Sequence, residues 1–159
     1  MKKIGILGSG VVGQTLANGF IKHGYDVMIG TRDKEKLSEW QEKNKGLVGT
    51  FEEAASFGDL IVLAVKGTAA MNVLGMVGKE NLENKTVVDA TNPIADAQPE
   101  NGVLKFFTSL DESLMEQLQK SFPSANFVKA FNSIGNVFMV NPDFNGMKPT
   151  MFICGNNKI

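Results

Sequence analysis

The sequence predicts an α/β fold, a doubly wound parallel sheet in a single domain over residues 1–159. Three observations carry that expectation. Strand and helix patterns alternate along the chain, as right-handed βαβ units require. Leu60-Ile61-Val62-Leu63-Ala64-Val65 is an unbroken apolar run, the pattern of a central parallel strand buried on both faces. At the start, Lys3-Ile4-Gly5-Ile6-Leu7 runs into Gly8-Ser9-Gly10-Val11-Val12-Gly13, a G-x-G-x-x-G turn that closes a strand and opens a helix. That combination is the signature of a Rossmann-type fold.

The elements follow in order. A first strand covers Lys3 to Leu7, and a helix runs from Val11 to His23, ending at Gly24, a natural residue after a helix C-terminus. Val12, Leu16 and Phe20 lie four apart on its buried face, with small Gly13 and Ala17 beside them. A second strand covers Asp26 to Ile29. A second helix starts near Asp33, its cap, and carries Leu37 and Trp40. After a short third strand at Leu47 to Gly49, Thr50 and Glu53 have the spacing of a capping box for a brief helix ending at Phe57. The central strand leads to a helix over Thr68 to Val77, and Thr86 to Ala90 is the fifth strand. Thr91 to Thr108 is a long connection without periodicity, a length often given to function. Ser109 and Glu112 predict a cap for a helix with the stripe Leu110, Leu114, Leu118, Phe122, stopped by Pro123. Asn126 to Ala130 is the sixth strand and Thr150 to Cys154 the seventh, and the expected strand order is 3-2-1-4-5-6.

Composition narrows the classes of function. Net charge is −1, with no basic run, which argues against a charge-driven nucleic-acid or membrane partner. No apolar stretch approaches the ~20 residues that span a bilayer. One cysteine, Cys154, rules out an internal disulfide and suits a reducing, cytoplasmic setting. With His23 the only histidine, a His/Cys metal cluster is not available, and no metal site is expected. Cys154 is expected in the interior of its strand, and the eight methionines as core filling.

The glycine turn has a specific chemistry. Gly8 permits the tight turn, Gly10 lets backbone approach a pyrophosphate, and Gly13 lets the helix pack closely on the sheet. The helix N-terminus then offers free N–H groups and partial positive charge to phosphate. In NAD-binding domains an acid ends the second strand and holds the ribose 2′-hydroxyl. Here Arg32 stands 19 positions after Gly13, where that acid is expected. A guanidinium suits a 2′-phosphate, with the Thr31 hydroxyl and N–H and Lys36 as further donors, so the expected cofactor is NADP. Asp33, one residue late, keeps NAD as the alternative.

Ligands of open α/β sheets bind beyond the carboxyl ends of the strands. That singles out Val65-Lys66-Gly67-Thr68, Thr91-Asn92-Pro93-Ile94 and Phe131-Asn132-Ser133-Ile134-Gly135-Asn136. Lys66 is a candidate for phosphate or substrate, and Asn92 for a carboxamide; a solvated lysine and a turn before Pro93 are the structural alternatives. His23 reads as a surface or capping residue. No Ser/His/Asp, Cys/His or paired-carboxylate arrangement stands out, so no catalytic side chain is assigned. If the chain is a hydride-transfer enzyme, this absence implies that its part is to align two redox partners.

Four segments, GSGVVGQTLA (8–17), GTRDKEK (30–36), VVDATNPI (87–94) and VKAFNSIG (128–135), together resemble the coenzyme F420-dependent NADP reductases and their bacterial relatives. MFICGNN (151–157) resembles that family's seventh strand and turn. Related N-terminal domains occur in ferric-chelate and pyrroline-carboxylate reductases. The resemblance implies that Ser9, Gly10, Val11 and Val12 meet the diphosphate and that Thr31, Arg32 and Lys36 meet the 2′-phosphate. It also implies that Val65, Ala130 and the Asn92-Pro93 loop lie near the nicotinamide. It implies hydride exchange between NADP(H) and a small redox partner, a deazaflavin such as F420 or a flavin. It further implies a homodimer, and a C-terminal part beyond Ile159 that completes the partner's pocket. Two other readings stay open: a non-catalytic NADP-binding module that senses redox state, and the cofactor domain of a small hydroxy or imino acid dehydrogenase.

Overall fold

The computed structural model describes residues 2–157. Among these, seven strands form one sheet in the order β3-β2-β1-β4-β5-β6-β7. They are β1 (Lys3–Leu7), β2 (Asp26–Gly30), β3 (Leu47–Gly49), β4 (Leu60–Leu63), β5 (Thr86–Asp89), β6 (Asn126–Lys129) and β7 (Cys154–Gly155). The first six are parallel, as expected, and β7 adds antiparallel to β6 through Val128↔Gly155 and Lys129↔Cys154. The helices are α1 (Val11–Lys22), α2 (Ser38–Lys43), α3 (Phe51–Phe57), α4 (Gly67–Val77) and α5 (Leu114–Ser121).

Alternation along the strands feeds two cores. Ile4, Ile6, Val27, Ile29 and Val62 pack with Leu16 and Ala17 of α1 and with Leu37 and Trp40. Leu7, Ile61, Leu63, Val87 and Phe127 pack on the opposite face with α3, α4 and α5. Ile61, Val62 and Leu63 are fully buried although they point to opposite faces, which is why β4 reads as an unbroken apolar run. Each such side chain contributes roughly 1.5–3 kcal/mol of burial.

Several expectations need correction. The sequence holds two consecutive S-x-x-E spacings, and the helix uses the second. Ser113 Oγ accepts from Glu116 N–H at 3.2 Å, and Glu116 accepts from Ser113 N–H at 2.7 Å. Ser109 instead closes a turn with Asp111 N–H, and Leu110 has no core to enter, its exposure being 106%. The Thr50/Glu53 box forms where expected. The second helix opens as a 3-10 turn, Glu35–Leu37, before α2. The seventh strand is only Cys154–Gly155, at the sheet's edge, and Cys154 is exposed rather than buried. None of the methionines among the described residues is fully buried: Met28, Met115 and Met139 pack at the margins of the cores and the others are exposed. The connection from Thr91 to Thr108 contains a narrow hairpin, in which Ala95 N–H donates to Lys105 O and Phe107 N–H to Pro93 O.

Candidate cofactor site

The carboxyl ends of β1, β2 and β4 build one side of the site. After β1 the chain turns at Gly8, whose φ of +132° favours glycine, and a Cβ there would lie 2.3 Å from the Ala64 carbonyl oxygen. Gly10 caps α1, and no side chain supplements it. The first N–H groups of α1 therefore face outward without intrahelical partners, at the positive end of the helix dipole. Gln14 Nε2 donates to Ser9 O at 2.8 Å and holds the loop to the helix. A Cβ on Gly10 would meet no atom within 4 Å. The space before the helix is open, which fits a group that approaches the backbone there.

β2 leads into Thr31, which is buried. Its hydroxyl lies 3.1 Å from Ser9 Oγ and accepts from Asp33 N–H at 3.2 Å. Its own N–H donates to Gly49 O at 3.0 Å. The N–H that the sequence offered to a phosphate is thus already used, and Thr31 ties the first two loops together. Asp33 Oδ1 accepts from Glu35 N–H at 3.1 Å in a local turn, but the cap position of the 3-10 turn is Lys34 rather than Asp33. Arg32 is exposed and has no ion-pair partner among the described residues. Lys36 is also exposed, 3.7 Å from Asp33 Oδ2.

A cavity of 350 Å³ joins these pieces: Gly8, Ser9, Gly10, Thr31, Arg32 and Lys36 on one side, Val65 and Lys66 on another. Its far wall is the α4 face formed by Ala69, Asn72, Val73 and Met76. Sequence reasoning missed that wall, though its spacing of i, i+3, i+4, i+7 is one helical face. A second cavity of 620 Å³ meets the first at Val65 and Lys66 and is lined by Thr91, Asn92, Ile94 and Asp96. Val11, Val12, Gly13, Pro93 and Ala130 line neither. Gly13 packs under the glycine loop, Ala130 is buried just after β6, and Pro93 sits at the base of the hairpin.

One ion pair crosses the second cavity's rim. Asp96, on the hairpin, accepts from Thr68 Oγ1 at 3.0 Å and from Lys66 Nζ at 3.3 Å. The Thr68 hydrogen bond, then Lys66, hold the Asp96 carboxyl below its ordinary value of 3.8. A lowered carboxyl keeps its contact above the unfolded value and loses it as pH falls through the folded one. The contact is therefore intact at neutral pH. Thr68→Val and Lys66→Met are each expected to move the Asp96 titration upward, followed by carboxyl carbon NMR. A titration that neither substitution moves would show that the contact does not form in solution.

The parallel sheet, the glycine loop and the trough along the strands' carboxyl edge define a Rossmann-type fold with the surface such folds use for dinucleotides. A sequence model of the family described as NADP oxidoreductase, coenzyme F420-dependent, matches residues 3–93, and the chain belongs to that family. Two of the matching relatives are named as NADP(H)-dependent reductases. The F420-dependent NADP reductase of Methanothermobacter thermautotrophicus is 35% identical over 103 residues, 59% of this chain and 44% of that protein. The NADPH-dependent reductive aminase of Aspergillus oryzae is 30% identical over 91 residues, 57% of this chain and 31% of that protein. A solved structure from Arthrobacter sp. FB24, provisionally assigned as an F420-dependent NADP reductase, superposes with a TM-score of 0.90 at 32% identity. That superposition covers 99% of this chain and 74% of the other. The two curated relatives are thus matched over less than half of their length. No helix among the described residues is long and apolar enough to cross a membrane.

Proposed function

We propose that residues 1–159 form an NADP(H)-binding domain that serves hydride exchange with a second small redox partner, a deazaflavin or a flavin. The observation that carries this reading is the continuous trough from Arg32 and Lys36, past the open space at Gly10, to Val65 and Asn92. In it, the N-terminus of α1 and the loop Gly8–Gly13 hold the diphosphate, their N–H groups meeting its charge. Arg32 and Lys36 attract the 2′-phosphate, and Thr31 positions them from beneath. Val65 presents apolar surface to the nicotinamide and Asn92 borders it, while Ala130 and Pro93 support that end of the trough from behind its lining. Bound NADPH supplies a hydride, one proton with two electrons, and becomes NADP⁺. None of the chain's side chains needs to act as acid or base in that transfer; their work is alignment. A reducing cytoplasm suits the reduced cofactor and the lone Cys154. The exposed apolar side chains of Val137, Met147, Phe152 and Ile153 support cover by a second copy.

Two experiments test the reading. Arg32→Ala is expected to weaken NADPH binding by roughly 1.5–3 kcal/mol, the worth of a charge-assisted contact, and to leave NADH binding nearly unchanged. Titration calorimetry with both cofactors measures the ratio, and an unchanged ratio removes Arg32 as the selector. Oxidation of NADPH is then followed with a panel of deazaflavin, flavin and ferric acceptors. Tight binding with no turnover of any of them supports the redox-sensing module instead. An imine acceptor belongs in the panel, because the match to a reductive aminase favours imine reduction as the second reading.

A further inference from the structure

Beneath the second cavity lies a polar network that the proposed chemistry does not itself use. β5 and β6 pair in parallel with Asp89 opposite Lys129, each the last residue of its strand. Asp89 is fully buried, and Lys129 is nearly so, its side chain 16% exposed. Lys129 Nζ contacts Asp89 Oδ2 at 2.5 Å and also donates to Thr91 O at 3.0 Å. The other oxygen, Asp89 Oδ1, accepts from Thr91 N–H at 2.9 Å and from Thr91 Oγ1 at 2.7 Å. Thr91 is thus held at its N–H, its hydroxyl and its carbonyl, and it is itself buried.

The sheet does not need this pair, because the two strands are already joined by their backbones. A buried ion pair is also weak evidence for stability, since apolar residues of like volume often serve as well or better. What the pair adds is direction. The residue after Thr91 is Asn92, whose Nδ2 donates to Asn132 O at 2.8 Å across to the segment that follows β6. Between Lys129 and Asn132 the chain passes through Phe131 at a φ of +64°, a left-handed conformation that a bulky residue adopts only when its surroundings hold it there. The clamp on Thr91 and the bridge from Asn92 together fix both loops at the cavity's inner end.

We infer that the Asp89–Lys129 pair is a positioning device: through Thr91 it sets the place of Asn92 and Asn132 at the redox end of the site. Its functional part rests on the cofactor reading above; its structural part does not. The test is Asp89→Asn/Lys129→Met, which removes both charges together, leaves an amide oxygen for Thr91 N–H, and deprives Thr91 O of its donor. Thr91→Val, which removes only the hydroxyl, is the gentler companion. In the ligand-free protein, the Asn92 side-chain amide NMR signals are expected to move toward those of a free amide and to exchange faster. With cofactor, NADPH affinity is expected to stay within about threefold while the single-turnover rate of NADPH oxidation by a flavin falls on the order of tenfold to a hundredfold. Thr91→Val is expected to change both readouts in the same direction by less. Unmoved Asn92 signals in both variants overturn the inference, as does a drop in affinity with an unchanged rate. A parent protein that does not bind NADPH overturns the cofactor reading, and the Asn92 signals then decide the clamp alone.

Discussion

Lys129→Met by itself is expected to destabilise the protein by about 3–5 kcal/mol, a large share of the stability of a domain this size. The reason lies at Asp89, which has no exposed surface. Its Oδ1 remains satisfied by Thr91, but Oδ2 loses the one cation that contacts it among the described residues and cannot reach water. An uncompensated buried carboxylate carries its full desolvation cost, which lowers the stability of the native state. Urea denaturation measures the loss, and the denaturant slope should stay near that of the parent, since the surface exposed on unfolding is the same. The double variant Asp89→Asn/Lys129→Met removes the orphaned charge and is expected to recover most of the loss. Equal destabilisation of single and double variants would show that the network matters for packing volume rather than for charge. The stability loss and the rate loss in the double variant are separable, because only the second depends on where Asn92 sits.

Much of this was legible in the sequence, for reasons that differ by element. β1, β3 and α3 are read to the residue, because each is bounded by a local signal: the glycine turn, a short apolar segment and the Thr50/Glu53 box. The parallel core order follows from chain alternation and handedness. The start of α5 was misread because Ser109 and Ser113 offer the same local spacing, and only burial chooses between them: Leu114 and Leu118 have a core to enter and Leu110 has none. β7 was misread because an apolar run at a sheet's edge looks the same in sequence as one inside it, and Cys154 followed the same error. The site divides similarly. The glycine loop and Arg32 carry a spacing signal. Asn72 and Met76 reach the cavity through helix geometry, and Asp89 and Lys129 meet through a strand register 40 residues apart, which no local pattern encodes.

Gly13→Ala and Gly10→Ala are expected to fail in opposite ways, and the contrast isolates what the glycine loop does for the ligand. A Cβ on Gly13 would lie 2.0 Å from the Gly8 carbonyl oxygen and 3.0 Å from its carbon. Both are backbone atoms of a turn fixed by β1, so no side chain can swing away. α1 must lift from the sheet, separating Leu16 and Ala17 from Ile4 and Ile6. The expected cost is about 3 kcal/mol, at the upper end of overpacking, and the lower melting temperature should appear with or without cofactor. At Gly10 a Cβ meets nothing, and the φ of −75° suits any residue. Its stability cost is that of a poorer helix cap, about 1 kcal/mol or less. The methyl group would, however, stand in the open space before the α1 N-terminus. NADPH affinity is therefore expected to fall by about tenfold or more, a change of ~1.4 kcal/mol or greater, with the fold intact by circular dichroism. If Gly10→Ala binds NADPH like the parent, the diphosphate does not approach the backbone there, and the trough must be read with its phosphates displaced toward Arg32 and Lys36.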